Sequence, residues 1–202
     1  MGKRVLIIGA GGTIGRAAAA AALGAGHHVI PASRSTTPAV DLTDPASIDA
    51  LFAEVAASGP VDAVVCAAGS VPFKPFAELT VDDYRAGLTD KTLGQIAVVV
   101  RGVEAVADGG SFTLTSGVLS RHPVATGTAA SAVNGALESF VMAAATGLPR
   151  GIRINAVSPN VLIESPGYHA SFPGFTPVPA AEVGRSVIRS VDGVETGQVF
   201  RL

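Results

Sequence analysis

Gly9, Gly11, Gly12 and Gly15 follow directly on four apolar residues, Val5 to Ile8, and stand just ahead of an alanine run, Ala17 to Ala22. The apolar stretch reads as a strand, the alanines as a helix, and the glycines as the turn between them. A turn of this kind aims free backbone N–H groups and the positive end of a helix dipole at one point, and the missing side chains let a phosphate come close. A diphosphate-bearing ligand fits that chemistry. The spacing is not G-x-G-x-x-G, whose third glycine would fall on Ile14; it is G-x-x-G-x-x-G through 9, 12 and 15. A bare glycine pattern also serves tight strand-to-helix connections, so its place inside a strand-helix-strand unit is what favours a nucleotide. A second candidate is Ser116, which ends the strand-like stretch Gly110 to Ser116, at the carboxyl end where parallel sheets open their ligand crevices. Its bland alternative is a hydroxyl that satisfies the turn. His122 and His169 lie in loops as candidate substrate contacts, His27 and His28 read as surface histidines, and Cys66 reads as a small buried hydrophobe. No spacing suggests a metal site.

Composition narrows the partners. The 202 residues are 48% hydrophobic and 15% charged, enough apolar material for one well-buried domain spanning residues 1–202. A net charge of −2, from 14 basic and 16 acidic residues, supplies no field for nucleic acid or an anionic membrane. No apolar run approaches the ~20 residues that span a bilayer, and MGKRVLII runs straight into a strand without a small-residue cleavage site. Cys66 has no second cysteine to pair with, which fits a reducing compartment. The expected location is cytoplasmic, and the expected partner is a small molecule.

The elements that must position these groups alternate along the chain. After the first helix ends near Gly24 and Gly26, His28 to Ala32 reads as a second strand, and Val40 and Asp41 as a brief third. Thr43 or Asp44 followed by Pro45 marks a helix start running to about Ala57. Val61 to Ala67 is a buried strand, Thr80 to Ala107 a long helical segment with a break expected near Gly87 to Asp90, and Ala125 to Thr146 a second long helix. Ile152 to Val157 is a strand stopped by Pro159. The proline-rich stretch 158–180 is the expected substrate lid, ahead of a short helix at Ala181 to Ser190 and a last strand at Gln198 to Leu202. Strands alternating with helices call for a doubly wound parallel sheet with helices on both faces.

The order of an N-terminal glycine turn, VVCAAG, FTLTSG, a small-residue helix and IRINAVSPN resembles the short-chain dehydrogenase/reductase family along nearly the whole chain. The resemblance implies a Rossmann-like sheet ordered 3-2-1-4-5-6-7. It also implies a cofactor diphosphate on Gly9, Gly12, Thr13, Ile14 and Gly15, adenine contacts from Asp41 and Leu42, and an Ala67-Ala68-Gly69 segment where the family has Asn-Ala-Gly. Ser158, Pro159 and Asn160 fall where the family touches nicotinamide. An acid at the end of the second strand would bind the ribose hydroxyl of NAD, but Ser33 and Arg34 stand there. A guanidinium beside a hydroxyl suits a 2′-phosphate, so the expected cofactor is NADP(H). The family also commonly pairs through helices matching Thr80 to Ala107 and Ala125 to Thr146, which implies a homodimer or homotetramer.

The catalytic positions depart from the family pattern. Ser116 matches its serine, but Ala130 falls on its tyrosine and Asn134 on its lysine, and alanine can neither donate a proton nor hold a ribose. In the segment DKTLGQ, Lys91 stands where the family usually carries asparagine. The two tyrosines are Tyr84, on an outer helix, and Tyr168, in the lid, from which a mobile loop could deliver a phenol. Two functions follow. One is an NADP(H)-dependent oxidoreductase of a small carbonyl or alcohol, with Ser116, Lys91 and Tyr168 as the catalytic set. The other is a non-catalytic NADP(H)-binding sensor or partner-binding protein. The retained serine and the lid, with apolar Phe172, Phe175 and Val178, favour the enzyme.

Overall fold

The computed structural model describes residues 2–202. Six strands form one parallel sheet: β1 (Arg4–Ile8), β2 (His28–Ala32), β3 (Val61–Cys66), β4 (Val106–Thr115), β5 (Arg153–Ser158) and β6 (Val199–Arg201), in the order β2-β1-β3-β4-β5-β6. The central strands are near-continuous apolar runs because helices cover both of their faces. Alternation along β1 divides the core accordingly. Leu6 and Ile8 pack with residues of α2 (Pro45–Ala56), α4 (Gly94–Gly102) and α5 (Thr128–Ala144), whereas Val5 and Ile7 pack with α1 (Thr13–Gly24) and α6 (Ala180–Asp192). The alanine run now has a reason: α6 crosses α1 so closely that a Cβ on Gly184 would lie 2.6 Å from Ala17 O.

The sheet keeps the expected order but lacks the expected third strand. Val40 and Asp41 are not part of a strand, and the segment touches β2's extension only through the single bridge Ser33 to Ala39. Local side-chain bonds replace the ladder there: Ser33 N donates to Thr36 Oγ1 at 2.6 Å, and Thr36 Oγ1 donates to Pro38 O at 2.8 Å. Pro38 in turn has no N–H to give.

The long segment from Thr80 divides as its glycine and aspartate suggested, though without leaving the helix. α3 (Val81–Gly87) begins with a reciprocal capping box between Thr80 and Asp83, and a π-helical turn, Leu88–Leu93, joins it to α4. A wide turn of this type frequently marks a functional position, and Lys91 is in it. The helix ends sooner than expected, with a 3₁₀ turn at Val103–Ala105 and β4 beginning at Val106. On α2 the cap is Asp44, whose carboxylate accepts from Ala46 N at 2.9 Å ahead of Pro45. Among the described residues no helix is long and apolar enough to cross a membrane.

Candidate functional site

The carboxyl ends of β1 and β3 open into a cleft of about 700 Å³. At its floor, Gly9 turns with φ +84°, and a Cβ there would lie 2.6 Å from Ala67 O. Glycine is required on both counts. Gly15 lets α1 settle on the turn, since its Cβ would overlap Gly9 O. Gly11 is different: a Cβ on it would meet nothing within 4 Å, because it borders the open cleft. Helix α1 starts at Thr13, with Ile14 and Gly15 in its first turn, and no side chain caps it. Its leading N–H groups are therefore available to an anion.

The far wall of the cleft is Ser33, Arg34, Asp41 and Leu42. Asp41 accepts from Thr43 N at 2.9 Å and Thr43 Oγ1 at 2.7 Å, and these bonds hold its carboxyl below the usual range. Arg34 is exposed, with no hydrogen bond or ion pair to another described residue. The near wall is Ala67, Ala68 and Gly69. A shape open at Gly11, with an uncapped helix start at one end and a guanidinium at the other, fits a nucleotide carrying phosphates at both ends.

Gly69 also explains how Lys91 reaches the site. Its φ is +120°, and a Cβ would lie 2.8 Å from the Cα, Cβ and Cγ of Lys91, so only glycine allows the π turn to come this close. From there Lys91 Nζ donates to Asn134 Oδ1 at 2.8 Å and to Ser116 O at 3.1 Å. The lysine and asparagine of the resemblance have changed places, and their side chains bond directly. Burial is the largest influence on Lys91 and lowers its pKa to about 8, while Cys66 and Glu138 act in the opposite sense. Cys66 is buried, which pushes its thiol up to about 12, so it is the inert hydrophobe expected.

Ala130 puts no polar group at the tyrosine position: it is 8% exposed and packs with Val118, Leu119, Val161 and Phe172. Tyr168 is 52% exposed and meets the Phe73 ring edge-on at 5.7 Å. It lines a smaller, mostly apolar pocket of about 210 Å³, together with Gly117, Asn134, Pro159, Asn160 and Phe172. Pro159 and Asn160 thus border this pocket, and not the larger cleft. His169 is spent inside its loop, with Nε2 2.8 Å from Leu162 O. His122 is exposed against Phe175. His27 departs from the surface expectation, because its ring is held between Lys3 N and Asp192.

Sequence reasoning missed Gln95 and Glu138. Gln95 is fully buried; it donates to Ala68 O and Thr115 O and accepts from Thr115 N, tying the ends of β3 and β4 together beneath Ser116. Glu138 accepts from the hydroxyls of Ser116, Ser120 and Ser158 at 2.7–3.0 Å. A signal existed, since each lies four residues beyond a polar site residue, Lys91 or Asn134, on the same helix face. Among the described residues no cluster could hold a metal.

Comparisons with known proteins agree with this geometry. Residues 9–195 match the family model described as Enoyl-(Acyl carrier protein) reductase. An L-xylulose reductase of Mesocricetus auratus is 32% identical over 184 residues, 82% of this chain and 74% of that one. The Homo sapiens L-xylulose reductase is 31% identical over 182 residues, with the same coverage of 82% and 74%. Among solved structures, the protein lin1944 from Listeria innocua superposes with a TM-score of 0.94 at 42% identity, covering 99% of both chains. A small-chain dehydrogenase solved with NADPH shares the fold, with a TM-score of 0.84 at 24% identity over 100% of this chain and 97% of that one.

Proposed function

The chain belongs to the short-chain dehydrogenase/reductase family, and from that membership we propose that it is an NADP(H)-dependent oxidoreductase of a small, moderately apolar carbonyl or alcohol, with Lys91 in the place of the family's tyrosine and lysine. The observation that carries the proposal is the contact of Lys91 Nζ with Asn134 Oδ1 at 2.8 Å and Ser116 O at 3.1 Å, where Asn134 lines the apolar pocket and Gly69, packed against Lys91, lines the larger cleft. The sugar-reductase relatives and the NADPH-bound neighbour support the reaction class and the cofactor.

Gly9, Gly11, Gly12, Thr13, Ile14 and Gly15 would hold the diphosphate through backbone N–H groups. Ser33 and Arg34 would take the 2′-phosphate, and Asp41, Leu42, Ala67, Ala68 and Gly69 would enclose the adenosine. When bound, the reduced nicotinamide supplies a hydride. The chain supplies the rest. Lys91 has a pKa of about 8, so it carries a proton at neutral pH and can give it to a developing alkoxide. Asn134 and Ser116 O orient the ammonium. Phe73, Leu119 and Phe172 give the pocket an apolar wall against which the carbon skeleton of the substrate would pack. Tyr168 is the runner-up donor, because its phenol lines the same pocket. Exposed Leu93, Val100 and Met142 on the outer faces of the π turn, α4 and α5 support pairing into a homodimer or homotetramer.

The test is NADPH consumption over a panel of aldehydes, ketones and hydroxyketones, beside NADPH binding by calorimetry. Turnover in the wild type that falls roughly 100-fold or more in Lys91→Met supports the assignment. Tight NADPH binding with no turnover across the panel would favour the non-catalytic reading.

A further inference from the structure

Ser116 Oγ lies between two oxygens that can only accept: Glu138 Oε1 at 2.8 Å and the backbone oxygen of Val157 at 3.5 Å. Glu138 is 8% exposed, and the same oxygen receives Ser120 Oγ at 2.7 Å and Ser158 Oγ at 3.0 Å, with Arg121 Nη1 at 3.5 Å as counter-cation. Three hydroxyls and a guanidinium converge on this one carboxylate oxygen, so it receives hydrogen bonds, and a backbone carbonyl oxygen can only do the same. Every bond recorded at Ser116 Oγ therefore uses the hydroxyl as donor. What remains for a ligand is its lone pairs.

We infer that Glu138 fixes Ser116 as a hydrogen-bond acceptor, so that the site pairs Ser116 with a substrate hydroxyl and leaves donation to the substrate oxygen to Lys91. This rests on the oxidoreductase reading, in which Ser116 touches the substrate. It reverses the role that the resemblance implies, where the serine donates to a carbonyl. An alcohol satisfies both groups at once, its O–H pointing to Ser116 Oγ and its lone pair receiving Lys91 Nζ. A ketone uses Lys91 alone. Glu138 is in this sense a positioning residue: it acts on substrate through the direction of one hydroxyl, and the site discriminates between the two ends of its own reaction.

The prediction is tested in dead-end complexes, where no turnover is needed. 1-Phenylethanol is titrated into the NADPH complex and acetophenone into the NADP+ complex, both by calorimetry. Ser116→Ala should weaken the alcohol about tenfold, the value of one hydrogen bond, and change the ketone less than twofold. Glu138→Gln retains an accepting oxygen and should keep wild-type affinities, whereas Glu138→Leu releases the serine proton and should tighten the ketone. A Ser116→Ala variant that loses the ketone and spares the alcohol would overturn the inference, and so would wild-type complexes that bind neither probe. If Glu138→Leu does not fold, the other two variants still decide. Failure of the oxidoreductase reading is visible separately, as absence of turnover over the carbonyl panel; loss of the predicted affinity pattern in an enzyme that does turn over would sink the acceptor role alone.

Discussion

Replacing Lys91 by methionine should separate activity from stability. Burial lowers its pKa from 10.5 to about 8, which corresponds to a folding penalty of about 3 kcal/mol carried by the charged form at neutral pH. Against that stand the two hydrogen bonds that the amine donates in either protonation state, to Asn134 Oδ1 and Ser116 O, worth up to about 1.5 kcal/mol each. The two nearly cancel. Lys91→Met should therefore shift Tm at pH 7 by no more than a few degrees, while kcat for a turned-over carbonyl falls roughly 100-fold or more. The sign of the pH dependence follows from the same displacement. Between about pH 8 and 10.5 the unfolded chain holds the Lys91 proton and the folded chain does not, so this group makes the protein more stable as pH rises through that window. Below it the penalty is present in full. Carbonyl reduction should run the other way, flat below pH 8 and falling about tenfold per pH unit above a midpoint at or above 8, since bound phosphates favour the charged lysine. Differential scanning calorimetry and stopped-flow NADPH oxidation from pH 6 to 10, on wild type and variant, measure both. A Lys91→Met protein that reduces substrate at the wild-type rate would refute the assignment and turn attention to Tyr168, and a variant that melts more than ten degrees lower would refute the cancellation.

Other perturbations address the cleft and the assembly. Arg34→Ala should abolish most of the preference for NADP(H) over NAD(H), an effect of about tenfold or more in calorimetric affinity, and equal wild-type affinities would contradict the phosphate assignment. Gly9→Ala should abolish tight NADPH binding, because the new Cβ would sit 2.6 Å from Ala67 O at a φ of +84°; unchanged affinity by calorimetry would show that the turn yields. In light scattering the wild type should run as a dimer or tetramer at micromolar concentration, and Val100→Glu combined with Met142→Glu should give monomer if α4 and α5 form the interface. A wild-type monomer would end that proposal.

Some of this protein is dictated by stretches a few residues long. The glycine turn before an alanine run, the Asp44-Pro45 helix start and the apolar strands 61–66 and 153–158 are local chemistry, so the parallel α/β architecture and the glycine turn that floors its cleft were legible in sequence. Ser116 was legible for the same reason, as the last residue of an apolar strand-like run. The missing edge strand was not, because whether Val40 and Asp41 pair depends on where Ser33, Thr36 and Pro38 send their hydrogen bonds. Nor was the buried polar network. Lys91 meets Asn134 across 43 residues, and it does so only because a π turn swings it against a glycine at 69 that leaves room for it. Glu138 gathers three serines from two separate stretches, 116–120 and the end of β5, onto one oxygen. Sequence spacing sets which face of a helix a side chain occupies, but which backbone oxygen or carboxylate waits opposite is set by packing between elements distant in the chain. That is why the fold and the cofactor could be read from the residues in order, and the partner of a single serine hydroxyl could not.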